Sequence, residues 1–146
     1  GVIRQVDLRM YQELDWETEK DLYRRIMEEY PGETHFDEQG VGNKLEGTLR
    51  EVGPPGEYIR GHSWSRSKKM DLCDNMARAI RAGEIVLLDP GESREAAEQF
   101  DQLENFDLEK LEGGNGAHDD TVTPIFIACE EMGQHVSMHD VGWRRW

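Results

Sequence analysis

Two acidic motifs hold the residues best suited to chemistry. One is the run Gly114-Asn115-Gly116-Ala117-His118-Asp119-Asp120-Thr121, followed by the apolar stretch Pro124-Ile125-Phe126-Ile127-Ala128-Cys129. Adjacent carboxylates at a helix start are favoured by the helix dipole. They are also hard oxygen ligands of the kind a divalent cation takes. The plain alternative is N-capping, for which Asp is a preferred residue. The other motif is Thr34-His35-Phe36-Asp37-Glu38-Gln39-Gly40-Val41-Gly42-Asn43. There an extended segment ends in an acid and runs into a glycine turn. The carboxyl end of a strand is where open α/β sheets gather ligand-binding groups. Gly40 and Gly42 would let the backbone approach a metal or a phosphate closely. Here too the alternative is a strand-to-helix turn with Asp37 or Glu38 as its cap.

Three stretches carry a family resemblance: "DEQGVGNKLEGTL", "WSRSKKMDLCDNMARAIRAGEIVLLDP" and "GAHDDTVTPIFIACEE". In this order they resemble the nuclease domain of the large terminase subunit of tailed bacteriophages, a ribonuclease-H-like endonuclease. The resemblance spans residues 2–132. It implies an α/β fold with a mixed central sheet flanked by helices. It also implies a metal-dependent DNA endonuclease of a packaging terminase, with carboxylates from separate parts of the chain around two Mg²⁺ or Mn²⁺ ions. Asp37 matches the family's second-motif carboxylate, and Asp119 with Asp120 match its last. Double-stranded DNA is the implied substrate. The terminase ATPase domain and other packaging components are the implied partners, in the host-cell cytoplasm. The family's first catalytic Asp lies on an opening strand. Only one extended segment, from Val2 to Met10, precedes the first helix here, and its Asp7 is not given that role. The expectation is therefore a domain N-terminally truncated, without its opening strand or strands. Two alternatives stay open: a catalytically incomplete version of the domain, and an acidic interaction module whose Asp pairs are caps.

Basic residues concentrate at Arg60, His62, Arg66, Lys68 and Lys69, with Trp64 among them as a stacking surface for a base. This is the main basic patch on an acidic chain and a candidate DNA contact. The alternative is a solubilised sheet edge. Ser65 and Ser67 have no histidine at a spacing that would make either a nucleophile. His118 is a candidate for orienting a water or phosphate, or for a structural hydrogen bond.

Composition bounds the remaining readings. The 146 residues carry 31 Asp and Glu against 17 Lys and Arg, a net charge of −14. Duplex affinity comes largely from neutralising phosphates, so this balance argues against tight autonomous DNA binding. Most of the acids, such as Glu17, Glu19, Asp21, Glu95 and Glu98, read as solvated helix faces. Charged residues make up 33% of the chain, yet its apolar positions are periodic, which argues for a folded domain. No run reaches the roughly 18 apolar residues of a membrane helix. Cys73 and Cys129 lack the spacing of a zinc site and read as buried thiols. Residues 1–132 are expected to form one domain, with 133–146 as a tail. The tail carries His135, His139, Trp143 and Trp146, with Arg144 and Arg145 between the tryptophans. Partner docking fits the tail better than metal binding by the histidine pair.

The elements that must position these residues follow from periodicity. Helices are expected over Trp16–Tyr30, Val41–Val52, Ser67–Ala82, Ser93–Phe106 and Thr121–Met132. In the third, Met70, Cys73, Met76, Ala77 and Ile80 are expected on the core face. Strands are expected at Val2–Met10, Thr34–Asp37, Tyr58–Trp64 and Glu84–Leu88, with a further one at Leu108–Leu111. Pro31-Gly32, the run Gly53-Pro54-Pro55-Gly56 and Asp89-Pro90-Gly91 punctuate them. Gly133 and Gly142 are expected to weaken any helix in the tail. Alternating strands and helices argue α/β.

Overall fold

The computed structural model describes residues 1–38, 42–107, 109–113 and 120–139. The chain is α/β. Its elements run β1 (Ile3–Arg4), α1 (Trp16–Glu29), β2 (Thr34–Asp37), α2 (Gly42–Val52), β3 (Ile59–His62), α3 (Arg66–Arg81), β4 (Ile85–Val86), α4 (Arg94–Glu104), β5 (Phe106–Asp107), β6 (Glu112–Gly113) and α5 (Thr123–His139). The described strands pair two by two, where the resemblance led us to expect one central sheet. β1 with β4 and β2 with β3 are parallel, and β5 with β6 is antiparallel.

The chain falls into two compact units. One unit joins Gly1–Met10 to Trp64–Trp146, and the other is the continuous segment Tyr11–Ser63. The chain's start belongs to the first unit because β1 pairs with β4, in the register Ile3↔Ile85 and Arg4↔Val86. The Gln5 side chain extends that attachment by accepting from the Leu88 amide at 3.1 Å. The strand expected over Val2–Met10 is confined to Ile3–Arg4. Beyond it, Val6 lies exposed and Asp7 turns back to accept from the Leu8 amide and Arg9 Nε.

In the Tyr11–Ser63 unit, Asp15 caps α1 by accepting from the Thr18 amide. The Thr18 hydroxyl, donating to the same carboxylate at 2.6 Å, and then the Thr18 amide hold the Asp15 carboxyl below its usual range. Pro31 and Gly32 then release the chain into β2. The core gathers Met27 of α1, Leu49 and Val52 of α2, and Phe36 and Ile59 of the strand pair. Side chains alternate along a strand. Phe36 and Ile59 therefore take one face of the pair, and His35, Asp37, Arg60 and His62 the other.

In the larger unit, Ser65 caps α3 and Ser93 caps α4, each through its side-chain oxygen. α3 packs on α5. Leu72, Cys73, Met76 and Ala79 of α3 meet Ile125, Phe126 and Cys129 of α5 in the core. Met70, expected on the core face, is instead exposed. It stands about half a turn round the helix from Ala79, on the solvent side. The strand expected at Leu108–Leu111 is displaced to either side: β5 precedes it and β6 follows it. Leu111 is buried in the turn between them, with φ at 61°, a setting uncommon outside glycine. α5 runs through Gly133 to His139, further than the expected stop at Met132. Of the tail residues singled out, Trp143, Arg144, Arg145 and Trp146 lie outside the described residues.

Candidate functional site

Asp37 closes β2, in parallel register with His62 of β3. The next residue continues the ladder, the Glu38 amide donating to the His62 carbonyl at 2.9 Å. Gly61 lies beneath this junction, where a Cβ would overlap the Glu38 side chain. The strand end is thus built by β2, β3 and the absence of a side chain at 61. It delivers a half-buried carboxylate to the carboxyl end of a parallel strand, directly before the turn into α2. Within that turn, Gly40 lies outside the described residues.

Asp120 is exposed and lies in the turn before α5. The first helical amides of α5 bond to the Val122 carbonyl, from Ile125 at 3.0 Å and from Phe126 at 3.2 Å. The capping position therefore falls at Val122, two residues after Asp120. His118 and Asp119, with the loop from Gly114 to Ala117, lie outside the described residues. Asp37 belongs to the Tyr11–Ser63 unit and Asp120 to the larger unit.

Sequence reasoning missed how the Asp120 turn is held. Gln99 and Gln102, one turn of α4 apart, are both buried, Gln99 fully so. Gln102 Oε1 accepts from the Thr121 amide at 2.9 Å and from the Thr121 hydroxyl at 2.6 Å. Gln99 Nε2 donates to the Thr121 carbonyl at 3.0 Å. Both backbone polar groups of Thr121 are thereby satisfied by side chains of one helix. Gln99 Oε1 is buried with no donor among the described residues. The available signal was two glutamines spaced three apart on the face that also presents Ala96.

The basic residues divide between the units. Arg60 stands on β3, and Arg66, Lys68 and Lys69 begin α3. Arg66 Nη2 donates to the Glu109 carbonyl, and Lys69 Nζ stands 5.8 Å from the centre of the Phe126 ring. Lys68 is exposed. Trp64, expected as a stacking surface, is buried. Its indole donates to Glu130 Oε2 at 2.8 Å, and its ring meets Phe126 edge-on at 6.1 Å. An indole held in the core this way offers no face to a base.

Mg²⁺ and Mn²⁺ take carboxylate and water ligands, and Asp37 and Asp120, in separate units, are each reached by solvent. Among the described residues no helix is long and apolar enough to cross a membrane. Comparison of the chain with protein-family models, with curated proteins and with solved structures gives no match.

Proposed function

We propose that this chain is a metal-dependent DNA endonuclease module of the terminase type, ribonuclease-H-like in fold. In this reading Asp37, Asp119 and Asp120 supply the carboxylates that hold two Mg²⁺ or Mn²⁺ ions. The observation that carries it is Asp37 at the carboxyl end of a parallel strand, entering a helix. Ligand-binding groups of α/β folds collect at that position. A second support is that Asp120 lies two residues before the capping position of α5, next to the turn that α4 holds. When bound, the two ions supply an activated water and stabilisation of the leaving oxygen in phosphodiester hydrolysis. The chain's own residues then have three tasks. The carboxylates bind the ions, Gln99 and Gln102 fix the turn that carries Asp120, and Arg60 and Lys68 meet the DNA phosphates. The net charge of −14 leaves the holding of the duplex to the ATPase domain and other packaging components.

Paired measurements test this. Mn²⁺ should raise the melting temperature of the wild-type chain by mass action. Asp37→Asn, Asp119→Asn and Asp120→Asn should each remove most of that rise while keeping the fold. A plasmid-nicking assay at low salt should show Mn²⁺-dependent cutting that the same substitutions abolish. An equal Mn²⁺ response in the wild type and all three variants would eliminate the site.

A further inference from the structure

The polar face of the β2–β3 pair holds a nitrogen donor set as well as Asp37. His35 and His62 sit diagonally across the pair, since His35 is in register with Arg60 and His62 with Asp37. His35 Nδ1 and His62 Nε2 approach to 2.9 Å, with the ring centres 5.1 Å apart and the planes at 43°. On its other side, His35 Nε2 lies 3.2 Å from Glu33 Oε2. A carboxylate only accepts hydrogen bonds. In the tautomer that donates from His35 Nε2 to Glu33, the Nδ1 lone pair of His35 faces His62. One hydrogen, on His62 Nε2, fills the space between the two nitrogens.

That hydrogen is what a cation replaces. If His62 carries its proton on Nδ1 instead, the two imidazole lone pairs face each other across the gap, a turn of the rings brings both onto one cation, and no proton is lost from the pair. Two zinc–nitrogen bonds of 2.0–2.1 Å at a tetrahedral angle place the nitrogens about 3.3 Å apart. The rings would have to open by only about 0.4 Å from the separation seen here. A carboxylate behind a ligating histidine is the usual arrangement for fixing its tautomer and orientation. Imidazole donors favour borderline cations such as Zn²⁺ over Mg²⁺, which takes oxygen. We infer that His35 and His62 form a binding site for a transition-metal cation of the Zn²⁺ class, with Glu33 orienting His35. The site goes beyond the carboxylate reading and does not depend on it.

Zn²⁺ titration of the full chain tests the inference, followed by calorimetry and by the imidazole nitrogen resonances. Zn²⁺ should shift His35 Nδ1 and His62 Nε2 selectively, and Mg²⁺ should shift neither. His35→Gln and His62→Gln should each weaken Zn²⁺ binding at least about tenfold, and Glu33→Gln about 10- to 100-fold. The double variant His135→Gln with His139→Gln removes the tail imidazoles and should leave the affinity unchanged. Asp37→Asn should likewise keep Zn²⁺ on the pair, even where it abolishes the Mn²⁺ response, so the two readings fail separately. His62 is buried, and its substitution tests the fold as well. The nitrogen resonances of the wild-type chain need no substitution. Absence of Zn²⁺ binding, or binding that leaves both resonances in place, would overturn the inference.

Discussion

Cys129 and Cys73 show how position decides chemistry for a residue type. Both thiols are free and buried in the α3–α5 core. Burial pushes the Cys129 thiol up to about 11 from an ordinary value of 9.0, against a smaller opposing pull from Arg78. Burial also raises Cys73, opposed by Lys69. The thiolate is the reactive form, so at pH 8 native Cys129 should carry about a hundredfold less of it than the unfolded chain. A thiol-exchange reagent should therefore label both residues at least tenfold faster in denaturant than in buffer. The pH dependence has a definite sign. Below about pH 9 the thiol is neutral in both states and its contribution to stability is complete. Between about 9 and 11 the unfolded thiol ionises while the folded one does not, and stability should fall. Urea midpoints at pH 8 and pH 10.5 measure this, and the decline should shrink in Cys129→Ala. His35 and His62 make the complementary point. Their meeting depends on strand register, which the spacing of two histidines 27 positions apart does not reveal.

At the scale of elements, α4 gives the sharpest expectation. Gln102→Ala strips the acceptor from both the Thr121 amide and its hydroxyl in a buried setting. Leaving such groups unsatisfied costs about 1–3 kcal/mol each, so a loss of about 2–4 kcal/mol in urea unfolding is expected. The Thr121 amide should exchange markedly faster. Thr121→Val removes only the hydroxyl bond and should cost about 1 kcal/mol while the amide stays protected. Equal exchange in all three proteins would show that α4 does not hold the turn. Ser93→Ala, which removes the cap of the same helix, should cost about 1 kcal/mol. The helices were legible because caps and stops are local signals: Ser65, Ser93 and Pro31-Gly32 act on their immediate neighbours. β2 was legible in full for the same reason. β1 was not, because pairing with β4 some eighty positions away sets its length. Nor was the α3 core face, since Met70 suits an apolar stripe and only the packing of α5 turns it outward. α5 outlasts Gly133 because one glycine costs about 1 kcal/mol, too little to end a helix anchored in the core. Of the candidate site, the carboxylates could be read as chemistry, but their support from Gln99, Gln102 and Gly61 could not. Those residues matter through contacts distant in sequence.

Charge is the property of the whole molecule with the most direct consequence. With 31 acids against 17 bases, folding brings like charges together in both units, and that repulsion opposes the compact state. The ion pairs seen, such as Lys20 with Glu51 at 3.5 Å and Arg50 with Glu46 at 2.8 Å, involve exposed partners and offset little of it. Salt shortens the Debye length from about 30 Å at 0.01 M to about 8 Å at 0.15 M. The melting temperature should therefore rise by several degrees when NaCl is raised over that range. DNA affinity should move the opposite way, because phosphate contacts release counterions. Few phosphate contacts are available in so acidic a chain, so the decline should be shallow. Its slope should correspond to about two or three phosphates, and Arg60→Ala or Lys68→Ala should each reduce it by about one. Thermal melts and fluorescence-anisotropy titrations at matched salt concentrations read both trends on one preparation. A melting temperature that falls as salt rises would mean that attractive pairs dominate the surface. A slope unchanged in both variants would move the DNA contact away from Arg60 and Lys68.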